Sequence, residues 1–86
     1  MFFADRRRMI TILRMAEAVL SEQDYRHVKE LYDNRESKLA LEVLCEQLNE
    51  NDTHISKEAY TAILDAAHSV TLDSKYTDMV KHLVNE

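Results

Sequence analysis

The segment ESKLALEVLCEQLNEND, residues 36–52, combines a dense group of apolar residues with a regular series of three glutamates. Placed at helical intervals of about 100°, the apolar residues cover more than half of the circumference and the glutamates fill the remaining side. A helix with so broad an apolar arc must be surrounded by neighbouring elements. The pattern predicts a central helix over about residues 37–50, with an apolar arc of Ala40, Leu41, Val43, Leu44, Cys45 and Leu48 and an acidic strip of Glu42, Glu46 and Glu50.

The whole chain has 86 residues, 45% of them hydrophobic and 31% charged, and contains neither glycine nor proline. A chain of this length and composition forms one small folded domain, here residues 1–86. Hairpins and phosphate-binding loops depend on glycine for positive φ angles and close backbone approach. The composition therefore argues against Rossmann and P-loop sites and favours an all-α fold.

Four further helices are predicted from apolar spacing and capping residues. The first covers about residues 5–20, where apolar residues recur at helical intervals. The second covers about residues 22–34, because Ser21 followed by Asp24 forms a capping-box pattern. Ser56 is the predicted N-cap of a helix that runs to about residue 69, and Asp73 or Ser74 opens the last one.

Short connections between these helices favour antiparallel packing, so we predict a compact bundle of about five short helices around the central third helix. Because glycine is absent, Asn34 is the expected left-handed residue at the end of the second helix. The expected inner faces include Ile10, Val19, Tyr25, Val28, Leu31, Tyr32, Tyr60, Ile63, Leu64, Ala67, Tyr76, Val80, Leu83 and Val84.

The formal net charge of −5 is concentrated in the second half of the chain. From Glu36 onward there are ten carboxylates against four lysines. An acidic helical strip repels nucleic acid and attracts a basic protein surface. The same strip is also compatible with an ordinary solvated face, since repulsion within an i, i+4 row costs only a few tenths of a kcal/mol per pair.

No catalytic or metal-binding pattern is present. The histidines share predicted helical faces with aspartates, but no third ligand converges on any pair. The pairs are Asp24/His27, Asp65/His68 and Asp78/His82, while His54 stands apart. Cys45 lacks a partner for a disulfide or a zinc site and is expected in the core of a protein from a reducing compartment. We therefore expect no enzyme, no cofactor and no metal.

The first 20 residues contain a basic cluster, Arg6 to Arg8, next to an interrupted apolar stretch. The stretch is too short and too polar for a secretory signal or a membrane span, and Asp5 and Glu17 argue against a mitochondrial presequence. The arginines are expected to be solvated charges in the first turn of a helix that frays or starts late, because cations are unfavourable there.

The run from Glu36 to Val84 resembles the MafI-like family of bacterial immunity proteins, small helical antitoxins of polymorphic and contact-dependent growth-inhibition systems. The matching elements are the acidic helix opener, the Ala-Leu pair, the core of "LALEVLCEQL", the acidic turn, Ile-Ser before an acid and Tyr60, and the Leu72-Asp73 start of the final helix. A glycine that the family commonly has before the acidic opener is absent here, and the first 35 residues match more loosely.

The resemblance implies inhibition by binding in the cytoplasm of the producing cell. The partner would be the C-terminal nuclease domain of a cognate toxin, for some relatives an EndoU-type ribonuclease, in a 1:1 heterodimer without nucleic acid or membrane. Because ribonucleases need cationic clefts, the acidic surface is the expected contact, although both tyrosines also suit the core. The predicted contact residues are Glu42, Glu46, Glu50, Asp52, Tyr60, Asp65, Asp73 and Tyr76.

Two other classes stay open from the sequence. The chain could be a helical adaptor or regulatory module that docks amphipathic helices through an apolar groove, unrelated to toxins. Alternatively, it could be a nucleic-acid-binding bundle that uses Arg6, Arg7 and Arg8, although no recognition helix or aromatic platform accompanies them.

Overall fold

The computed structural model describes the backbone of residues 2–85 and the side chains of residues 7–85. Within that range the chain forms a small bundle of about 30 × 24 × 20 Å. Its elements are α1 (Phe2–Val19), α2 (Glu22–Asp33), α3 (Ser37–Glu50), β1 (Ile55–Ser56), α4 (Lys57–Ser69), α5 (Ser74–Lys81) and β2 (Val84–Asn85). The predicted all-α bundle is confirmed for the described residues, and its third helix has the predicted bounds.

α3 is the central helix of the bundle. It packs against α2, α4 and α5, while α1 packs chiefly on α4 and also contacts α2. Fully buried side chains lie along its inner face, each exposed by no more than 1%: Ala40, Leu41, Leu44, Cys45 and Leu48. The apolar arc is therefore broad because three neighbouring helices cover it.

The starts of α2, α4 and α5 follow the predicted capping residues. In each case a side-chain oxygen accepts a hydrogen bond from a backbone N–H of the first turn, which otherwise lacks a partner. The amides of Asp24, Ala59 and Lys75 donate to Ser21, Ser56 and Asp73 at 3.1, 3.0 and 3.0 Å. These bonds fix the points at which the chain enters each helix.

The ends of α2, α3 and α4 share one hydrogen-bonded turn, although the chain has no glycine. Arg35, Asp52 and Thr71 follow the three helices with φ angles of 64°, 49° and 54°. After α2, the amide of Glu36 donates to the carbonyl of Leu31 at 2.8 Å, and corresponding bonds close α3 and α4. This is the Schellman arrangement, built here from residues that carry a Cβ.

The prediction that Asn34 is the left-handed residue is wrong. Asn34 is the last residue of the α2 turn, with φ −88°, and the left-handed conformation falls on Arg35. The reversal must occur one residue after the helix cap for the two closing hydrogen bonds to form. The hydrogen-bonding geometry of the turn therefore determines which residue is left-handed, although asparagine adopts that conformation more readily than arginine.

The start of α1 also differs from the expectation. The helix begins at Phe2, so Arg6 to Arg8 lie in its second turn rather than its first. The field of the helix dipole falls off within the first turn, which lessens the unfavourable effect on these cations. The side chain of Arg6 lies outside the described residues.

Three apolar residues expected on inner faces are exposed. Ile10 is 43% exposed, Val19 37% and Leu64 40%. Ile10 and Leu64 lie roughly 100° or more around their helices from the middle of the buried face, by the helical period of 3.6 residues. Val19 is the last residue of α1. Tyr25 and Tyr32, which were also expected on an inner face, are half-buried and pack against the edge of the core.

The last helix ends at Lys81, so Leu83 and Val84 lie beyond it rather than within it. Val84 instead pairs with Ile55 in a parallel bridge between β2 and β1, and the amide of Ile55 donates to the carbonyl of Leu83 at 3.0 Å. Leu83 and Ile55 are both buried, exposed by 1% and 2%. The pairing therefore keeps two apolar side chains in the core after the helix has stopped.

None of the helices in the described part of the chain is long and apolar enough to cross a membrane.

Candidate functional site: the acidic strip of the third helix

The acidic strip runs along the outer face of α3. Its three glutamates are spaced by four residues, about 6 Å of helix rise each. Glu46 and Glu50 are exposed and Glu42 is half-buried. Within residues 7–85, none of the three accepts a hydrogen bond or forms an ion pair with lysine or arginine. Their charges are therefore available to an external cation.

Asp52 extends this negative surface past the end of α3. Its side chain is 82% exposed, and Oδ1 lies 4.0 Å from Nε2 of His82. Because this contact is long and both side chains are mostly exposed, it compensates little of the Asp52 charge. Together, the strip and Asp52 make up the acidic surface, which runs from Glu42 to the turn that ends α3.

This acidic surface is locally unfavourable for α3. Glu50 lies in the last turn and Asp52 directly follows it, where the helix dipole already carries negative partial charge. No basic residue of the last turn offsets them. The cost is a few tenths of a kcal/mol for each like-charge pair or dipole contact. The carboxylates of Glu50 and Asp52 therefore do not stabilise the folded state of α3.

Two further side chains border the strip, and sequence reasoning did not assign them a role. Leu39 is 41% exposed and lies between the directions of Glu46 and Glu50 on the helical circumference. Lys38 is exposed one turn before Glu42. Their positions follow from the same helical angles that predicted the strip, so the exposure of both side chains could have been predicted from the sequence.

Asp65 lies on a different side of the bundle. Its Oδ2 is 3.9 Å from Nε of Arg8, which also donates a 3.2 Å hydrogen bond to Ser69. The three residues border the contact between α1 and α4, where a shallow groove of about 360 Å³ is lined by residues of both helices. The structure therefore does not bring Asp65 together with the strip.

Asp73 caps the start of α5, and Tyr76 lies in its first turn. The carboxylate of Asp73 is the helix cap described above, and the side chain remains exposed. Tyr76 is half-buried, and Nζ of Lys75 lies 5.2 Å from its ring centre. Since the other end of α5 approaches Asp52 through His82, these two residues lie at the end of the helix opposite the acidic surface.

Tyr60 connects α4 to α5. Its hydroxyl donates a 3.3 Å hydrogen bond to the backbone carbonyl of Thr77, and the ring packs against the core. Burial, with a smaller contribution from the charge of Asp78, raises the pKa of Tyr60 above its ordinary value. These contacts make Tyr60 part of the packing between α4 and α5, and its predicted contact with a partner stays a prediction.

The groups that could carry chemistry do not converge. Within the described residues, no three His, Cys, Asp or Glu side chains are grouped so that they could hold a metal ion. Cys45 is fully buried, and burial raises the pKa of its thiol to about 12. The thiolate, which is the reactive form, is therefore not populated at neutral pH. Among the described residues, the carboxylate that contacts His82 is that of Asp52, whereas the sequence paired His82 with Asp78.

The basic cluster near the start of α1 is divided by its contacts. Arg8 is directed towards Asp65 and Ser69 of α4, whereas Arg7 is exposed. Arg8 therefore contributes to the α1–α4 contact, whereas Arg7 is solvated as expected.

No protein-family model, curated protein or solved structure matches this chain significantly. The resemblance of residues 36–84 to the MafI-like immunity proteins stays a prediction.

Proposed function

We propose that this protein is an immunity protein that binds and neutralises the nuclease domain of a cognate secreted toxin in the cytoplasm of the producing cell. The observation that supports the proposal best is the acidic surface of α3 and Asp52, in which Glu46, Glu50 and Asp52 are exposed, Glu42 is half-buried, and no carboxylate has a lysine or arginine partner among residues 7–85.

The charge of the acidic surface suits a basic partner. A nuclease binds the phosphate backbone through a cationic cleft, and a rigid row of carboxylates competes for the same positive groups. Complementary charge also steers the encounter and raises the association rate, which matters when a toxin must be stopped before it cuts its substrate. Blocking a lethal enzyme requires nanomolar affinity or better, roughly −12 kcal/mol.

The ribonuclease assignment rests on the resemblance alone. Within that proposal, the partner is an EndoU-type ribonuclease and the complex is a 1:1 heterodimer. The inhibitor has no reaction of its own and acts by occupying or abutting the active-site cleft.

The exposed apolar residues disfavour the adaptor alternative. Ile10, Val19, Leu39 and Leu64 are dispersed over three helices, and none of them lines the groove between α1 and α2 or the groove between α1 and α4. A groove of about 510 Å³ between α1 and α2 is bordered mainly by charged side chains. Docking of an amphipathic helix would instead require a continuous apolar surface.

The proposal is tested by producing the protein together with the toxin that is encoded immediately upstream. We expect co-elution of the two chains and protection of cells from the toxin. The triple variant Glu42→Gln, Glu46→Gln and Glu50→Gln should lose protection, because it lacks the charges proposed to bind the toxin. It should remain folded, because these charges form no ion pairs within residues 7–85.

A matched control carries the same change in net charge elsewhere. Glu17, Glu30 and Glu58 are exposed and lie on other helices. Replacing all three by Gln should leave protection intact. Failure of the wild-type protein to co-elute or to protect overturns the proposal, and equal loss in both triple variants overturns the assigned surface.

A further inference from the structure

The outer face of α1 carries a charge pattern opposite to that of α3. Arg7, Ile10 and Arg14 project within about 60° of one another on the helix, and all three are exposed. Neither Arg7 nor Arg14 forms an ion pair or a side-chain hydrogen bond in the described residues. Glu17, also exposed, follows on the same side one turn later.

The two faces match in spacing when the helices are antiparallel. Arg7 and Arg14 are separated by about 10.5 Å of helix rise, and Glu50 and Glu42 by about 12 Å. Glu17 lies beyond Arg14, just as Lys38 lies beyond Glu42. Read in opposite directions, the charges are positive, positive, negative on α1 (Arg7, Arg14, Glu17) and three negatives followed by a positive on α3 (Glu50, Glu46, Glu42, Lys38).

In the parallel orientation Glu17 lies within about 3 Å of helix rise of Glu50, whether Arg7 is placed opposite Glu42 or opposite Lys38, and the second register also brings Arg7 against Lys38. Like charges in direct contact are unfavourable, so the pattern selects one direction. Each face also has one exposed aliphatic side chain, Ile10 or Leu39, that such a contact would cover.

We infer that the outer face of α1 in one copy docks antiparallel on the acidic strip of α3 in a second copy. The two faces belong to different helices, and α1 packs on α2 and α4 whereas α3 packs on α2, α4 and α5. The contact therefore joins two different surfaces and is heterologous, so repeating it can link copies into chains or rings.

The association is weak and depends on salt. Exposed ion pairs contribute little individually, so several must form together. The net charge of −5 opposes the contact at long range, but salt screens that repulsion beyond about 10 Å at 0.1 M. The same strip is the surface proposed for the toxin, so toxin binding and self-association exclude each other. The inference itself concerns the isolated protein and does not depend on the toxin.

Analytical ultracentrifugation of the purified protein tests it at about 50 mM and about 500 mM salt, a range over which surface charge contacts are progressively screened. At the lower salt, the weight-average mass should rise with protein concentration, up to about 1 mM, as for a weak complex. At the higher salt, the protein should be monomeric. A monomer at every concentration in the lower salt overturns the inference.

Charge reversal identifies the faces. The variant Arg7→Glu with Arg14→Glu and the variant Glu42→Arg with Glu50→Arg should each be monomeric alone, with association weakened roughly tenfold or more. Mixed in equal amounts they should associate, because each face then meets its opposite. Absence of association in the mixture contradicts the assigned faces.

The control is Lys57→Glu with Lys81→Glu, which changes the net charge by the same amount at exposed lysines of α4 and α5. This variant should associate as the wild type does. If it loses association as completely as the α1 variant does, net charge rather than the specific contact is responsible, and the inference is wrong. Circular dichroism melts confirm that each variant is folded.

Discussion

The amide of Leu72 donates a 2.9 Å hydrogen bond to the carbonyl of Ala67, and this bond closes the end of α4 around Thr71. Thr71 has φ 54°, a left-handed conformation that a β-branched residue adopts only at a cost. Glycine usually occupies this position, because it has no Cβ to clash. The hydrogen bonds of the turn and the burial of its neighbours offset the strain.

Replacing Thr71 by Gly should therefore stabilise the protein. The relief of left-handed strain, about 1–2 kcal/mol, exceeds the added flexibility of the unfolded chain, about 0.4–1 kcal/mol. Urea unfolding followed by circular dichroism measures the difference. Arg35→Gly should give a smaller gain, because the arginine side chain is not β-branched. Destabilisation by Thr71→Gly would show that its side chain has a role that this account omits.

The hydrogen bond between Tyr60 and Thr77 should contribute measurably to stability. Tyr60→Phe removes the hydroxyl and leaves the ring, so we expect a loss of about 0.5–1.5 kcal/mol in the free energy of unfolding. Tyr76→Phe is the matched control, because its hydroxyl forms no hydrogen bond in the described residues. Equal effects of the two changes would argue against the Tyr60 contact.

The buried thiol of Cys45 should make stability depend on pH in the alkaline range. The unfolded chain loses the thiol proton near pH 9.0, whereas the folded chain retains it until about pH 12. Stability from this group is therefore fully present below pH 9 and is lost as the pH rises from 9 towards 12. The measurement is the free energy of unfolding at several pH values.

The variant Cys45→Ala is the reference for that measurement, because it lacks the thiol and keeps every other ionisable group. The difference between the two proteins therefore reports on the thiol alone. The wild type should lose more stability than the variant as the pH rises above 9. Parallel pH profiles for the two proteins would mean that the thiol is accessible to solvent. Slow reaction of native Cys45 with a disulfide reagent is an additional check.

The central position of α3 predicts a strong contrast between two of its leucines. Leu44 is fully buried, and Leu44→Ala should cost about 2–5 kcal/mol through lost packing and the cavity left behind. Leu39 is 41% exposed, and Leu39→Ala should change stability by less than about 0.5 kcal/mol. Similar costs at both positions would contradict the packing described for α3.

Local signals predicted most of the fold. The bounds of α3 followed from a dense apolar arc, and the starts of α2 and α4 followed from serines placed before acidic first turns. The β1–β2 bridge could not be predicted in this way, because Ile55 and Val84 are far apart in the sequence and each strand has only two residues. The left-handed conformation of Arg35 was also not predictable, because the residue type that usually marks this position, glycine, is absent from the chain.

The candidate site was predictable where it depends on helical angles. The outward direction of Glu46 and Glu50 followed from the period of α3. The contact of Asp65 with Arg8 was not predictable, because it depends on how α4 packs against α1. Nor could the sequence show that Tyr60 bonds to the backbone of α5.

The most direct test of the central claim is the dissociation constant of the complex with the nuclease domain encoded immediately upstream, measured by calorimetry between about 50 and 500 mM salt. The account predicts nanomolar or tighter binding that weakens as salt increases. It also predicts at least tenfold weaker binding, about 1.4 kcal/mol, for the variant with Gln at Glu42, Glu46 and Glu50. No binding, or binding that ignores both salt and these substitutions, would contradict it.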